Sequence, residues 1–210
     1  MLETFTLQSP GAALASLWSR APLELWSAGA ELHDAPPSFA VAEGHLLLVR
    51  GRLRLDADTT LEGPALVLLD PSTSLQLEPL DAHTRVLLWS VQSPQTRAGS
   101  AGKPRILRGQ ELEEPRTVTT GATFVHWFPR LRSRVPQRTF AGTPTLLLNL
   151  GHAALPLVAA GALSALAGGT GAVADDVFSL TLPPGTGPLL AVERLEVTHD
   201  AARDTLGLGG

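Results

Sequence analysis

The sequence predicts an all-β protein made of two tandem barrels, and three observations lead there. Helical periodicity is scarce along the chain. Short apolar runs alternate with breaks, and 20 Gly and 17 Pro in 210 residues make those breaks frequent. The same order of strands and turns then recurs in the second half.

Taken in chain order, the best helical candidate is Gly11–Trp18, with Ser9-Pro10 as its start. Strands follow at Leu23–Ser27, His45–Val49, Arg52–Leu55, Ala65–Leu69, Ser74–Leu77 and Arg85–Val91, each bounded by Gly, Pro, Ser or Asp. The stretch from Gln92 to about Arg116 is rich in Gly, Pro, Ser and charge. It reads as a linker carrying a short strand at Arg105–Leu107. Strands resume at Thr123–Phe128, Thr145–Leu150, Leu155–Val158, Ala162–Ala165, Val177–Leu182 and Leu189–Val197. GGTGAVADD reads as a hairpin loop between strands, and DAARDTLGLGG as a helical turn or a disordered tail. The expected domains are an N-terminal barrel over 1–93, a linker over 94–118, a C-terminal barrel over 119–200 and a tail over 201–210.

The repeat is read from two alignments. HLLLVRGRLRL (45–55) matches LPLVAAGALSA (155–165), which sets Gly51 against Gly161. ALVLLDPSTSLQL (65–77) matches FSLTLPPGTGPLL (178–190), which sets Pro71 against Pro184. The offsets are 110 and 113 residues, so a three-residue insertion separates the two alignments.

Composition narrows the function classes. With 16 Lys+Arg against 20 Asp+Glu, the net charge of −4 gives no global case for nucleic-acid binding. The absence of Cys excludes disulfides, a cysteine nucleophile and a thiolate zinc site. Lys103 is the one lysine, so a Schiff base would have to form there. No basic region precedes an apolar core at the N-terminus, so no secretory signal is expected and a cytoplasmic location is. No charge occurs between Arg138 and Asp175, long enough for a membrane span. The Asn149, Pro156 and Gly breaks read instead as buried strands and turns, and no membrane partner is expected.

The pattern resembles the cupin superfamily. Cupins are small β-barrels of two sheets, often doubled into bicupins, with motifs G-x5-H-x-H-x3,4-E-x6-G and G-x5-P-x-G-x2-H-x3-N. GAELHDAPPSFAVAEGHLLLVRG (29–51) looks like the first motif in outline and GPALVLLDPSTSLQL like the second. LPLVAAG and DDVFSLTLPPGTGP look like the same pair in the second half. The resemblance implies a metal held by about three His and one carboxylate. Its second-motif histidine falls on Leu75 and Pro188. Its glutamate falls on Gly44, beside Glu43, and on Ala154. Near the second-half histidine positions there is only Asn149. The metal centre is therefore not carried over, and no cofactor is expected.

Several residues still carry candidate chemistry. His33, Asp34, Glu43, His45 and His83 could form a rearranged site. Should a metal bind, the set would be His33, Glu43 and His45. Alternation sets His45 on the face of Leu47 and Val49, inside the barrel if that face points inward. In FVHWF, alternation groups Phe124, His126 and Phe128, so His126 could line an apolar pocket or be a bonded core histidine. His152 falls in a turn. Arg130, Arg132 and Arg134 would share one face of an edge strand and, with Arg138, could bind phosphate or carboxylate. Arg50, Arg52 and Arg54 repeat the alternation and are expected to face solvent.

The resulting expectation is a non-catalytic, bicupin-like protein with degenerate metal sites. It binds a small molecule or assembles with a partner, as a homodimer, and no catalytic residues are assigned. His45, His126, Arg130, Arg132 and Arg134 are the candidate ligand-binding residues. The alternatives are a metal-dependent cupin enzyme using His33, Glu43 and His45, and an anion- or nucleic-acid-associated protein using the arginine cluster 130–138.

Overall fold

Leu47 and Leu48 are adjacent in sequence and both are fully buried. Neighbouring strand residues point to opposite faces, so the sheet holding them is covered on both sides. The same holds for Thr145–Asn149, where all five residues are buried. Such strands read as unbroken apolar runs, as TLLLN does within the uncharged stretch 139–174.

The structure, a computed structural model, describes residues 2–7, 15–20, 23–28, 38–41, 43–55, 57–69, 73–81, 84–91, 104–120, 123–132, 135–141, 144–159 and 161–194. The first ten strands are β1 (Leu2–Thr6), β2 (Ala15–Arg20), β3 (Leu23–Ala28), β4 (Ser38–Val41), β5 (Glu43–Arg50), β6 (Arg52–Leu55), β7 (Thr59–Glu62), β8 (Ala65–Leu69), β9 (Thr73–Pro79) and β10 (Arg85–Val91). The next ten are β11 (Arg105–Arg108), β12 (Arg116–Thr120), β13 (Thr123–Phe128), β14 (Val135–Phe140), β15 (Thr145–Asn149), β16 (Leu155–Ala159), β17 (Ala162–Leu166), β18 (Thr170–Ala174), β19 (Phe178–Leu182) and β20 (Leu189–Arg194). A 3-10 turn covers Gly109–Leu112.

These strands build four antiparallel sheets. Two have six strands, in orders β11-β8-β5-β10-β3-β2 and β1-β18-β15-β20-β13-β12. Two have four strands, in orders β4-β9-β6-β7 and β14-β19-β16-β17. Adding ten to each strand number of the first half gives the second half, apart from the exchange of β1 and β11. Each of those strands pairs with the eighth strand of the other repeat: β1 with β18, and β11 with β8.

The apolar clusters show the layering. One cluster fills the space between the two large sheets, with Leu47, Leu66 and Leu87 from one and Val125, Trp127, Leu148 and Leu190 from the other. A second, with Leu48, Leu53, Leu77 and Leu88, lies between the first large sheet and its four-stranded partner. A third, with Phe128, Phe140, Leu147, Phe178 and Leu189, fills the C-terminal counterpart. Each fully buried leucine contributes about 2 kcal/mol by burial, so the cluster between the large sheets helps hold the halves together.

The all-β expectation holds, and the strands at 52–55, 65–69, 85–91 and 123–128 lie where alternation sets them. Other expectations are corrected. Residues 15–18 of the expected helix Gly11–Trp18 lie in strand β2 (Ala15–Arg20), its preceding residues lying outside the described ones. The short strand expected at Arg105–Leu107 within the linker is present as β11 (Arg105–Arg108), and it and the unexpected β12 (Arg116–Thr120) pair in different large sheets. The segment read as a hairpin loop, GGTGAVADD, contains β18, central in a large sheet. The repeat alignment was one strand out of step. Leu48 has the place of Asn149, Ala65 that of Thr170 and Val86 that of Leu189, at offsets of 101 to 105 residues. Adjacent strands joined by a Gly turn look alike in sequence, and a shift of one strand keeps the apolar pattern. The motif placements on 155–161 and 178–188 shift with it.

Candidate functional site

His126 lies in the middle of β13. Alternation puts Val125 and Trp127 into the core between the large sheets, where the Trp127 indole Nε1–H donates to the Leu112 carbonyl at 2.8 Å. The opposite face, with Phe124, His126 and Phe128, turns to the C-terminal barrel, as the pattern FVHWF predicts.

His126 is 8% exposed and both ring nitrogens have partners. Thr117 on β12, directly opposite in register, has its hydroxyl 2.9 Å from Nδ1. Glu193 on β20 faces Phe124 in register and reaches diagonally to Nε2, at 2.8 Å from Oε1. The Phe140 ring meets the imidazole edge-on at 5.3 Å and itself stacks on Phe178 at 5.0 Å. Phe124 lies nearly parallel to the imidazole at 6.5 Å.

Burial holds the His126 pKa below its ordinary value. The Glu193 carboxylate opposes this through its hydrogen bond and charge, and Arg138 adds to the lowering. The neutral ring satisfies both contacts in one arrangement: Thr117 O–H donates to Nδ1, and Nε2–H donates to Glu193. The result is a relay from an exposed hydroxyl through the neutral ring to a partly buried carboxylate. It can present a polarised hydroxyl or, with that hydroxyl displaced, a free Nδ1 acceptor. Arg138 on β14 is exposed, its guanidinium carbon 5.9 Å from the Phe128 ring centre.

The other candidates fall in different places. Arg130 and Arg132 are exposed in a bend, not in a strand, because Leu131 between them turns inward and exchanges backbone bonds with Gly185 and Thr186. Arg134 lies outside the described residues, as do His33, Asp34 and His83. Glu43 and His45 lie on β5, with their side chains outside the described set. The face of β5 that carries Leu47 and Val49 packs against the other large sheet, and Leu48 faces the barrel interior. That corrects the premise that the Leu47 face lines the barrel. His152 is exposed in the 151–153 bend. Arg52 and Arg54 are exposed as expected, and each meets a carboxylate: Asp81 at 3.9 Å and Glu78 at 2.6 Å.

Sequence reasoning picked out His126 but missed Thr117 and Glu193. The available signal was Glu193 itself, a charge at the inward register of the apolar run LLAVE, alternating with Leu189 and Ala191. Among the described residues, no three His, Asp or Glu side chains come together to hold a metal ion. His126 and Glu193 make two, and Thr117 takes the remaining ring nitrogen, so the described part of the C-terminal barrel does not fit the metal set of the resemblance.

No family model matches the sequence, and a comparison with curated proteins finds no match. Solved structures do match. Protein Ylba from E. coli aligns at a TM-score of 0.61 and 10% identity, covering 92% of this chain and 83% of that one. A cupin 2 conserved barrel domain protein from Leptotrichia buccalis aligns at 0.51 and 11%, covering 90% and 91%. A salicylate 1,2-dioxygenase from Pseudaminobacter salicylatoxidans aligns at 0.53 and 11%, covering 86% and 73%. The chain therefore has the fold of cupin-type proteins. At such identities the likeness shows the fold alone, and that fold hosts enzymes among other proteins.

Proposed function

We propose that this chain is a non-catalytic, bicupin-like protein that binds a small molecule at the rim of its C-terminal barrel, without a metal centre there. The observation that carries the reading is the Thr117–His126–Glu193 relay, which holds a neutral imidazole between aromatic rings and ends at an exposed hydroxyl. Buried polar groups of fixed hydrogen-bond direction beside aromatic walls are what orient a ligand. Arg138 adds a cation on the same element as Phe140.

The test is elemental analysis of the purified, tag-free protein together with native mass spectrometry for a retained small molecule. The expected result is no stoichiometric metal, and a retained or added ligand whose binding is lost in His126→Phe. About one Fe, Mn, Ni or Zn per chain, lost in His45→Ala, would overturn the reading and favour an enzyme using His33, Glu43 and His45. A homodimer belongs to the same proposal. Edge strand β17 and its neighbour β16 expose Leu163 and Val158 side by side, without the charges that guard the matching hairpin β6–β7. A monomeric mass in sedimentation equilibrium would remove this part.

A further inference from the structure

The duplication supplies an internal control, because each corner of one barrel has a counterpart in the other. At the end of β15, the C-terminal corner is closed by main chain. Leu150 N–H donates to the Pro188 carbonyl at 2.8 Å. A Cβ on Gly151 would collide with the Gly187 carbonyl, so the two backbones are in direct contact. The buried Asn149 side chain binds the neighbouring loops.

The matching pair in the N-terminal half is Arg50 and Arg85, which stand opposite each other across β5 and β10. A bulge there leaves Val49 without a partner of its own. Two cations thus occupy the places of a leucine and a proline. Arg85 is partly buried, and its Nε is buried without a hydrogen-bond partner. Burial and the Arg50 charge both hold its pKa below the ordinary arginine value.

Two neighbouring carboxylates, Asp81 and Glu78, hold other partners. Asp81 accepts Arg52 N–H at 2.9 Å on Oδ2 and the Thr84 hydroxyl at 3.0 Å on Oδ1. Glu78 holds Arg54. Among the described residues, neither Arg50 nor Arg85 is in an ion pair. The backbone around them is fixed: the one Thr84 hydroxyl hydrogen is shared between Asp81 Oδ1 and the Arg52 carbonyl, 2.8 Å away, and Gly63 N–H donates to the Gly51 carbonyl at 3.0 Å. Gly51 takes φ +82° in this turn, where a Cβ would strike the Thr84 backbone.

We propose that Arg50 and Arg85 form an oxyanion-binding site, taking the phosphate or carboxylate group of a small molecule. Adjacent guanidiniums repel unless an anion bridges them, and their planar forks match two oxygens of one group. A bound oxyanion supplies the acceptor that the buried Nε lacks. This site is separate from the C-terminal relay and does not depend on it.

The test measures the melting temperature and calorimetric binding of the full chain with inorganic phosphate and, separately, malonate, at ionic strength matched with chloride. The expected result is saturable binding of at least one of the two. Arg50→Gln and Arg85→Gln should each weaken it about tenfold or more, the worth of one charge-assisted hydrogen bond. Arg54→Gln should leave it unchanged. Which anion binds more tightly identifies the ligand group. Arg50 is exposed, so its variant tests the site even if Arg85→Gln fails to fold. No binding of either anion, or equal binding by wild type and Arg50→Gln, would overturn the proposal.

Discussion

Asn149 offers the most direct test of how the C-terminal corner is held. Its side chain is fully buried. Nδ2 donates to the carbonyls of Ala153, Leu166 and Ala167 at 2.9, 3.0 and 3.1 Å, and Oδ1 accepts Gly151 N–H at 3.2 Å. An amide has two N–H hydrogens, so three carbonyls share two donors and the side chain makes three full bonds. At about 1 kcal/mol net per bond, Asn149→Ala should cost about 3 kcal/mol, and more if the stranded carbonyls stay dry. For a chain of this length that is a melting-temperature drop of about 6–12 °C. Asn149→Asp keeps one acceptor for Gly151 but turns a second oxygen toward three carbonyls. It should be less stable than the Ala variant at pH 7 and recover as the pH falls and the acid protonates. Urea unfolding followed by tryptophan fluorescence reads both. An Ala variant within about 1 kcal/mol of wild type, or an Asp variant as stable as wild type at pH 7, would refute the reasoning.

Three further outcomes are expected. The lowered His126 pKa means the unfolded chain binds a proton more readily than the fold, so this contribution is present above the unfolded pKa of about 6.5 and lost as pH falls through the folded value. Unfolding free energies from pH 8 to 5 should slope more in wild type than in His126→Phe, by no more than about 1.4 kcal/mol per pH unit; parallel curves would remove the assignment. Gly171→Ala places a Cβ into the Phe5 ring, which lies across β18, and should lower the melting temperature. Phe5→Ala should restore part of that loss, and a strictly additive double-mutant cycle would show that the arm does not pack there. Trp127→Phe removes the indole donor to Leu112 O and should cost about 1–3 kcal/mol in chemical denaturation; an unchanged midpoint would deny that bond a role.

The candidate site was half legible. His126 stands out because a titratable ring in an apolar alternating strand is conspicuous, and alternation alone gave its face. Its partners were hidden by distance along the chain: Thr117 is nine residues away and Glu193 is 67. Arg50 was read with Arg52 and Arg54 as one solvent-facing series. Register separates them, since Arg52 and Arg54 meet carboxylates on neighbouring elements and Arg50 meets Arg85.

The sequence by itself determined the all-β class and most strand positions. A period of two and the bounding Gly and Pro residues act within a few residues, and a local rule can read a local cause. It missed β1, β2, β4, β7, β12, β14 and β18; several are short or lie in polar or Gly-rich segments, where side chains say little about extension. Only the tertiary structure decided which strands pair. The exchange of β1 and β11 between the two large sheets leaves no mark in either segment's composition, because a short, half-exposed edge strand fits one large sheet as well as the other. The same ambiguity displaced the repeat by one strand. Pairing is settled by which faces must be covered once all four sheets are stacked, and that condition belongs to the whole chain.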